Sequence, residues 1–421
     1  MLPTGWRVEA VASLAQGGLF VDGDWVESKD QDPSGGVRLT QLADVGVGVF
    51  RDRSDRWMRD DQAARLNCTF IEPDDVLIAR MPDPIGRACL APAILGRAVT
   101  AVDVAILRPR RRDVYPRYLM WAINSPQVHE RIAKLQSGTT RKRVSRKNLA
   151  TVQVPVPPLE EQRRIVEILE DHLSRLDAGT TQLARAEARL GLTVDAAIAT
   201  ASELADAPTH TLGDVLGTPL SNGRSVPTAD EGFPVLRLTA MRDGVIDPAE
   251  RKTGAWTAAD AASFLVARGD VFAARGNGSL RLVGRAARVI DDPDPVAYPD
   301  TMIRMRPNPD LMRADFLTAI WNSRTVRSQI ERRARTTAGI YKVNQKDLLG
   351  ILVPLPSLED QAAFIARVDD LAYAVRGTMT TVTTARRRAD ALRRSVLAAA
   401  FSGQLAGTES DIERVEEMAG V

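Results

Sequence analysis

The residues of this chain best suited to chemistry are cations set among glycine, serine and threonine. Ser137-Gly138-Thr139-Thr140-Arg141-Lys142-Arg143-Val144-Ser145-Arg146-Lys147 is one such stretch. Thr336-Thr337-Ala338-Gly339-Ile340-Tyr341-Lys342-Val343-Asn344-Gln345-Lys346 is a second, 199 residues later. Arg108-Pro109-Arg110-Arg111-Arg112 is a third cluster, and Arg275-Gly276-Asn277-Gly278-Ser279 a glycine-rich loop beside an arginine. Small residues let a phosphate approach the backbone, lysine and arginine neutralise it, and arginine also reads guanine in the major groove. The candidate nucleic-acid contacts are therefore Arg108, Arg110, Thr139, Thr140, Arg141, Lys142, Arg143, Ser145 and Lys147 in the first half. In the second half they are Arg275, Asn277, Tyr341, Lys342, Asn344 and Lys346. The Arg275 loop lacks the Lys-Ser/Thr end of a phosphate-binding P-loop, so it reads as a turn near DNA rather than a nucleotide site.

Other chemistries find little support. The two cysteines, Cys68 and Cys89, exclude a disulfide scaffold and read as small core residues. His129, His172 and His210 lie far apart, so no metal site is expected. No Walker motif, no methyltransferase Asp/Asn-Pro-Pro-Tyr motif and no spaced nuclease carboxylates appear. Trp57, Trp121, Trp256 and Trp321 read as core anchors. No apolar run is long enough to cross a membrane, and the N-terminal residues do not resemble a signal peptide, so a cytoplasmic protein is expected. Across 421 residues, 56 Lys and Arg against 54 Asp and Glu give a net charge of +2, which is uninformative as a whole. Locally, residues 76–157 hold 15 basic against 4 acidic residues, and residues 235–350 hold 19 against 13.

The elements that must position these cations repeat. Pro155-Val156-Pro157-Pro158-Leu159-Glu160-Glu161-Gln162 returns as Pro354-Leu355-Pro356-Ser357-Leu358-Glu359-Asp360-Gln361, 199 residues on. Arg38-Leu39-Thr40 returns as Arg237-Leu238-Thr239, Asp75-Val76 as Asp270-Val271, Leu107-Arg108-Pro109 as Met305-Arg306-Pro307, and Asn124-Ser125 as Asn322-Ser323. The order of the words is kept, so the chain reads as two copies of one mixed domain, each followed by a helix. Proline at each helix approach fixes an extended lead-in, and Ser357 with Asp360 resembles a capping box. Leu169, Leu176, Leu183 and Leu190 recur every seven residues, and Val368, Val375, Val382 and Ala389 match them. That period is the seam of a coiled coil. Gly179 and Gly191 predict a kink or break in the first helix. Within the copies, Val76–Ala79 and Ala101–Leu107 read as strands, and residues 117–135 and 315–330 as helices.

The duplicated Pro-x-Pro-Pro-Leu-Glu-Glu-Gln motif, each copy leading into a long helix, resembles the specificity subunit of Type I restriction-modification systems. Leu397-Ala398-Ala399-Ala400-Phe401-Ser402-Gly403-Gln404-Leu405 resembles that family's C-terminal word, and the resemblance covers nearly the whole chain. It implies an α+β chain with two α/β target recognition domains separated by two long antiparallel coiled-coil spacer helices, related by a pseudo-twofold repeat. The expected segments are 1–154 and 208–353 for recognition, 155–207 and 354–408 for the spacers, and an acidic tail over 409–421. Each recognition domain would read one half of a bipartite duplex DNA site. The helices would set the gap and dock two methyltransferase subunits, which bind S-adenosylmethionine, and motor-nuclease subunits could join. This chain would hold no cofactor and perform no catalysis. Asp360 and Ser357 depart from the first copy of the motif. A helical scaffold that assembles enzymes without reading DNA is the alternative.

Overall fold

The computed structural model describes residues 2–138, 141–201, 204, 206–337 and 339–405; the candidates Thr139 and Thr140 and the acidic tail fall outside them. The fold is mixed helix and strand, and compactness does not follow chain order. One unit takes Met1–Ala184 and Thr383–Val421, the other Arg185–Val382. Among the described residues no helix is long and apolar enough to cross a membrane.

In the first unit a four-stranded antiparallel sheet runs in the order Leu19–Asp22, Val104–Arg108, Val76–Ala79, Ala88–Leu90. Val37–Thr40 pairs antiparallel with Trp57–Met58 and parallel with Ala98–Thr100, and Arg7–Ala10 pairs with Gln153–Val156. The Val76–Ala79 strand is buried on both faces, as its unbroken apolar run requires. The second unit places Val271–Ala274 against Met302–Pro307 and Ala286–Arg288 in a six-stranded sheet. Thr209–Thr211 pairs there with Leu352–Pro354, as the first unit's N-terminal strand does with Gln153–Val156.

The repeated words are structural in both units. Asp75 accepts from the guanidinium of Arg108 at Nε and Nη2, both 2.7 Å. Asp270 likewise takes both ends of Arg306. Each aspartate also accepts the amide three residues upstream, from Glu72 at 2.7 Å and from Ala267 at 3.1 Å. The residue before each aspartate has positive φ, 66° at Asp74 and 82° at Gly269. Matched words thus become neighbouring strand ends joined by an ion pair: Val76 lies opposite Leu107, and Val271 opposite Met305.

Each single helix expected after the strands is instead two. Pro116–Ile123 and Pro126–Lys134 are separated by Asn124-Ser125, and Ala314–Asn322 and Arg324–Arg333 by Ser323. The break has a cause. Asn124 accepts from the amide of Ala88 at 3.0 Å and donates to its carbonyl at 2.8 Å. Asn322 clamps Ala286 in the same way, at 2.9 and 2.8 Å. Each asparagine extends a strand edge, and Pro126 cannot continue the preceding helix.

The long helices run over Leu159–Ala199 and Leu358–Ser402. The predicted break at Gly179 or Gly191 does not occur: the first helix is continuous, and nothing lies within 4 Å of where a Cβ would stand at either glycine. Each helix is tied at its start by a buried glutamine. Gln162 accepts from the Tyr115 amide at 2.8 Å and donates to Asp113 at 2.8 Å and Pro157 at 2.9 Å. Gln361 accepts from Arg313 at 2.9 Å and donates to Leu311 at 2.8 Å and Pro356 at 2.9 Å. Ser357 caps its helix, accepting from the Asp360 amide at 3.1 Å.

Within the first unit, Ile165, Val166, Leu169 and Leu173 share a core with Val396, Leu397, Ala400 and Phe401 from the end of the second helix. The two run antiparallel there, since Arg164 reaches the Leu405 carbonyl while Asp177 pairs with Arg393. Within the second unit, Ile198 from the end of the first helix shares a core with Phe364 and Ile365 from the start of the second. Of the predicted seam, Leu169 and Val382 are buried. Leu176, Leu183, Leu190, Val368 and Val375 are half-buried.

Substituting Gln162→Leu strands one amide and two carbonyls and should destabilise the chain by on the order of 3 kcal/mol. Gln162→Glu should be no better, because its second oxygen would face two carbonyls. Gly179→Ala should instead stabilise by about 0.8–1 kcal/mol. Thermal denaturation of the three variants beside the unsubstituted chain checks the opposite signs.

Candidate nucleic-acid interface

In the first basic stretch, the described residues on either side of Thr139 and Thr140 are tied together by an antiparallel bridge, and the segment it closes is termed a hairpin. Ser137 and Arg143 exchange backbone hydrogen bonds of 2.8 Å in both directions. The turn needs Gly138: at its φ of 95° a Cβ would fall 2.4 Å from the Arg141 carbonyl. Buried Val144 then anchors the hairpin, donating to the Arg80 carbonyl at 3.0 Å. The second unit repeats the anchor, with Val343 donating to Arg275 at 3.0 Å. There Ile340–Lys342 pairs with Arg335–Thr337 on one side and Gly276–Asn277 on the other. Two candidate stretches read separately in the sequence, Arg275–Asn277 and Tyr341–Lys342, are therefore adjacent strands of one small sheet, with Asn277 opposite Tyr341.

The candidates differ in how free they are. Arg141, Lys142 and Lys147 are exposed and, among the described residues, make no side-chain hydrogen bond or ion pair. The same holds for Lys342 and Lys346. Arg143 is exposed but lies 3.3 Å from Asp103, and Arg275 faces Asp300. Ser145 and Asn344 are helix caps, accepting from the amides of Asn148 at 3.1 Å and Asp347 at 2.9 Å. Asn277 accepts from the Ser279 amide at 3.0 Å.

Arg108 is a correction to the sequence expectation. Its guanidinium is held by Asp75, by Glu72 at 2.7 Å and by the Phe70 carbonyl at 2.8 Å, so four of its five N–H donors serve the fold and the two-pronged face is not free for DNA. The Asp75 hydrogen bonds raise its pKa above the ordinary arginine value, and Asp270 does the same for Arg306. Arg110 pairs with Glu72 and Arg111 with Glu9 and Asp113. Much of the local positive excess is thereby neutralised by carboxylates distant in sequence.

The sequence reading missed Arg80, which is buried, pairs with Asp22 and carries the carbonyl that anchors the hairpin. Arg146 braces the same aspartate at 3.5 Å. The match of Val144 with Val343 was the available signal. Burial pushes the Cys89 thiol up to about 12 and the half-buried Cys68 thiol up to about 11, so neither is a nucleophile near neutral pH. Trp121, Trp256 and Trp321 are buried, the last donating to the Gly284 carbonyl at 2.8 Å. Half-buried Trp57 lies under the guanidinium of Arg38, 5.3 Å away. No cluster that could hold a metal occurs among the described residues.

Replacing Arg141 and Lys142 by alanine should weaken duplex binding about equally for all sequences and reduce the slope of log K against log salt by about 2. Titrations at several salt concentrations measure it. Asp270→Ala, by leaving Arg306 unpaired, should cost roughly 2–3 kcal/mol of stability, read as a lower melting temperature.

The family described as Type I restriction modification DNA specificity domain matches residues 60–188. The EcoKI specificity subunit of Escherichia coli K12 is 26% identical over 71% of this chain and 68% of its own. The EcoBI specificity subunit of Escherichia coli is 25% identical over 94% of this chain and 85% of its own. In fold, the chain is similar to one solved in work on complex assembly and conformational transition of the type I R-M system. That match has a TM-score of 0.74 at 20% identity and covers 96% of this chain and all of that one. The HsdS subunit of Thermoanaerobacter tengcongensis gives a TM-score of 0.53 at 19% identity, covering 96% and 98%. With the duplicated helix-start motif and the twice-built strand-and-hairpin frame, these likenesses make the chain similar over nearly its whole length to Type I restriction-modification specificity subunits and support a DNA sequence-recognition subunit.

Proposed function

We propose that each unit reads one half of a bipartite duplex site, that the two long helices set the gap, and that the chain performs no catalysis itself. Methyltransferase subunits docked on the helices supply the reaction and bind S-adenosylmethionine; motor-nuclease subunits join them for cleavage. The observation that carries this reading is duplication with divergence. The Asp–Arg pair, the asparagine clamp, the hairpin anchor and the buried glutamine occur in both units. The residues that the two hairpins present differ: exposed Arg141 and Lys142 in one, exposed Ile340 and Lys342 with half-buried Tyr341 in the other. Two equal frames with unequal surfaces suit two different half-sites.

Mapping N6-methyladenine genome-wide in cells with and without this gene tests the reading. Loss of one split motif with a fixed gap is expected. Selection of duplexes from a random pool by the full chain supplies the second arm, and a chain that folds yet selects no motif supports the scaffold alternative instead. The ruler role has its own test. Removing seven residues from each helix keeps the apolar seam in register and shortens each by about 10 Å. The preferred gap should contract by about three base pairs at 3.4 Å each, and an unchanged gap refutes the ruler.

A further inference from the structure

Arg87 and Arg285 occupy the same place in the two units. Each follows a positive-φ glycine, Gly86 at 82° and Gly284 at 68°. Each glycine lies under an isoleucine of the neighbouring helix, Ile132 or Ile330. The carbonyl of Arg87 accepts from Ala79 at 2.8 Å, and that of Arg285 from Ala274 at 2.9 Å. The backbones are equivalent, but the side chains are not.

Arg87 is buried, and four of its five guanidinium N–H donors are used. It donates to the carbonyls of Val45 at 2.7 Å, Leu42 at 2.8 Å, and Met81 and Pro84 at 3.0 Å, closing the loop that precedes it. In the second unit that task belongs to Arg327, on the helix Arg324–Arg333. It donates to Val283 at 2.6 Å and Leu280 at 3.2 Å. The residue 198 positions before Arg327 is His129, so the duty has changed hands between the copies.

Arg285 is thereby released. It is exposed and, among the described residues, its side chain makes no hydrogen bond or ion pair. A cavity of about 260 Å³ opens beside it. Leu238, Met241, Ala274 and Leu282 supply apolar walls, with Thr239, Asp243 and Asn277 around them. Asn277 belongs to the small sheet that carries Tyr341 and Lys342, so the cavity adjoins the candidate DNA surface.

We propose that Arg285 is a specificity-determining residue of the second unit, reading a G·C pair of its half-site from this cavity. The inference rests on the recognition role proposed above. Asp243 argues for a base pair over a phosphate. A carboxylate beside the arginine repels a phosphate, whereas it accepts from the cytosine amino group while the arginine donates to guanine O6 and N7. Asp243 is held in place by its turn, at a φ of 47° between the paired strands Met241–Arg242 and Val245–Ile246.

The test is selection of duplexes from a random pool by the full chain and by Arg285→Ala and Arg285→Lys. The expected result is loss of a G·C preference at one position of one half-site, by about 5- to 150-fold, with the other half-site unchanged. The lysine variant should lose the preference yet keep the salt dependence, since it retains the charge without the two-pronged donor. Melting temperatures should be unchanged for both, whereas Arg87→Ala should melt lower. Equal weakening on all duplexes, or an unaltered motif, overturns the assignment alone. Failure of the unsubstituted chain to select any motif overturns the recognition role and this assignment together.

Discussion

Everything in this architecture depends on two buried amides. Gln162 and Gln361 each sit at zero exposure where a domain hands over to a long helix. One side chain satisfies a backbone amide and a carbonyl of the loop leading to the domain helix, and a carbonyl of its own proline-rich lead-in. A carboxylate could accept but not donate, and an aliphatic side chain could do neither, so glutamine alone fits. The direction in which each long helix leaves its domain is fixed by these bonds. The placement of the hairpins relative to the helices follows from that direction.

A second constraint acts inside each domain. The aspartate that closes the turn before the central strand also receives the arginine that ends its neighbour. Such a pair costs desolvation, and it is tolerated because the remaining carboxylate lone pairs are met by backbone amides. It pins the strand ends from which the hairpin anchors follow. The frame beneath the candidate surface is thus rigid for reasons that have nothing to do with DNA.

This explains what was legible in the sequence. The matched words Asp75-Val76, Leu107-Arg108, Asn124-Ser125 and the glutamine motif revealed the duplication because each holds a bond that the fold needs twice. The same physics misled the reading of Arg108: a cation in a basic run looks available until its carboxylate, more than thirty residues away, is found in space. Net charge over a window cannot see such pairing. The single helix expected over 117–135 failed similarly, since apolar periodicity continues through Asn124 although its amide serves a strand edge. The seven-residue apolar repeat was visible, but how deeply each position is buried depends on what lies opposite. Hence Leu169 is buried while Leu183 and Leu190 are half-exposed.

The positions where the copies disagree carry the rest of the argument. The loop before Arg87 and the loop before Arg285 both require a donor for their carbonyls, because buried backbone acceptors left unpaired are costly. The requirement is met from within the loop in one unit and from a helix in the other. A constraint that two different residues can satisfy does not fix the side chain beside it. The frame therefore stays constant while the residues at the cavity and the hairpin change. Two domains of one ancestry can in this way present unlike surfaces without either losing the turn, the strand or the helix that holds its surface in place.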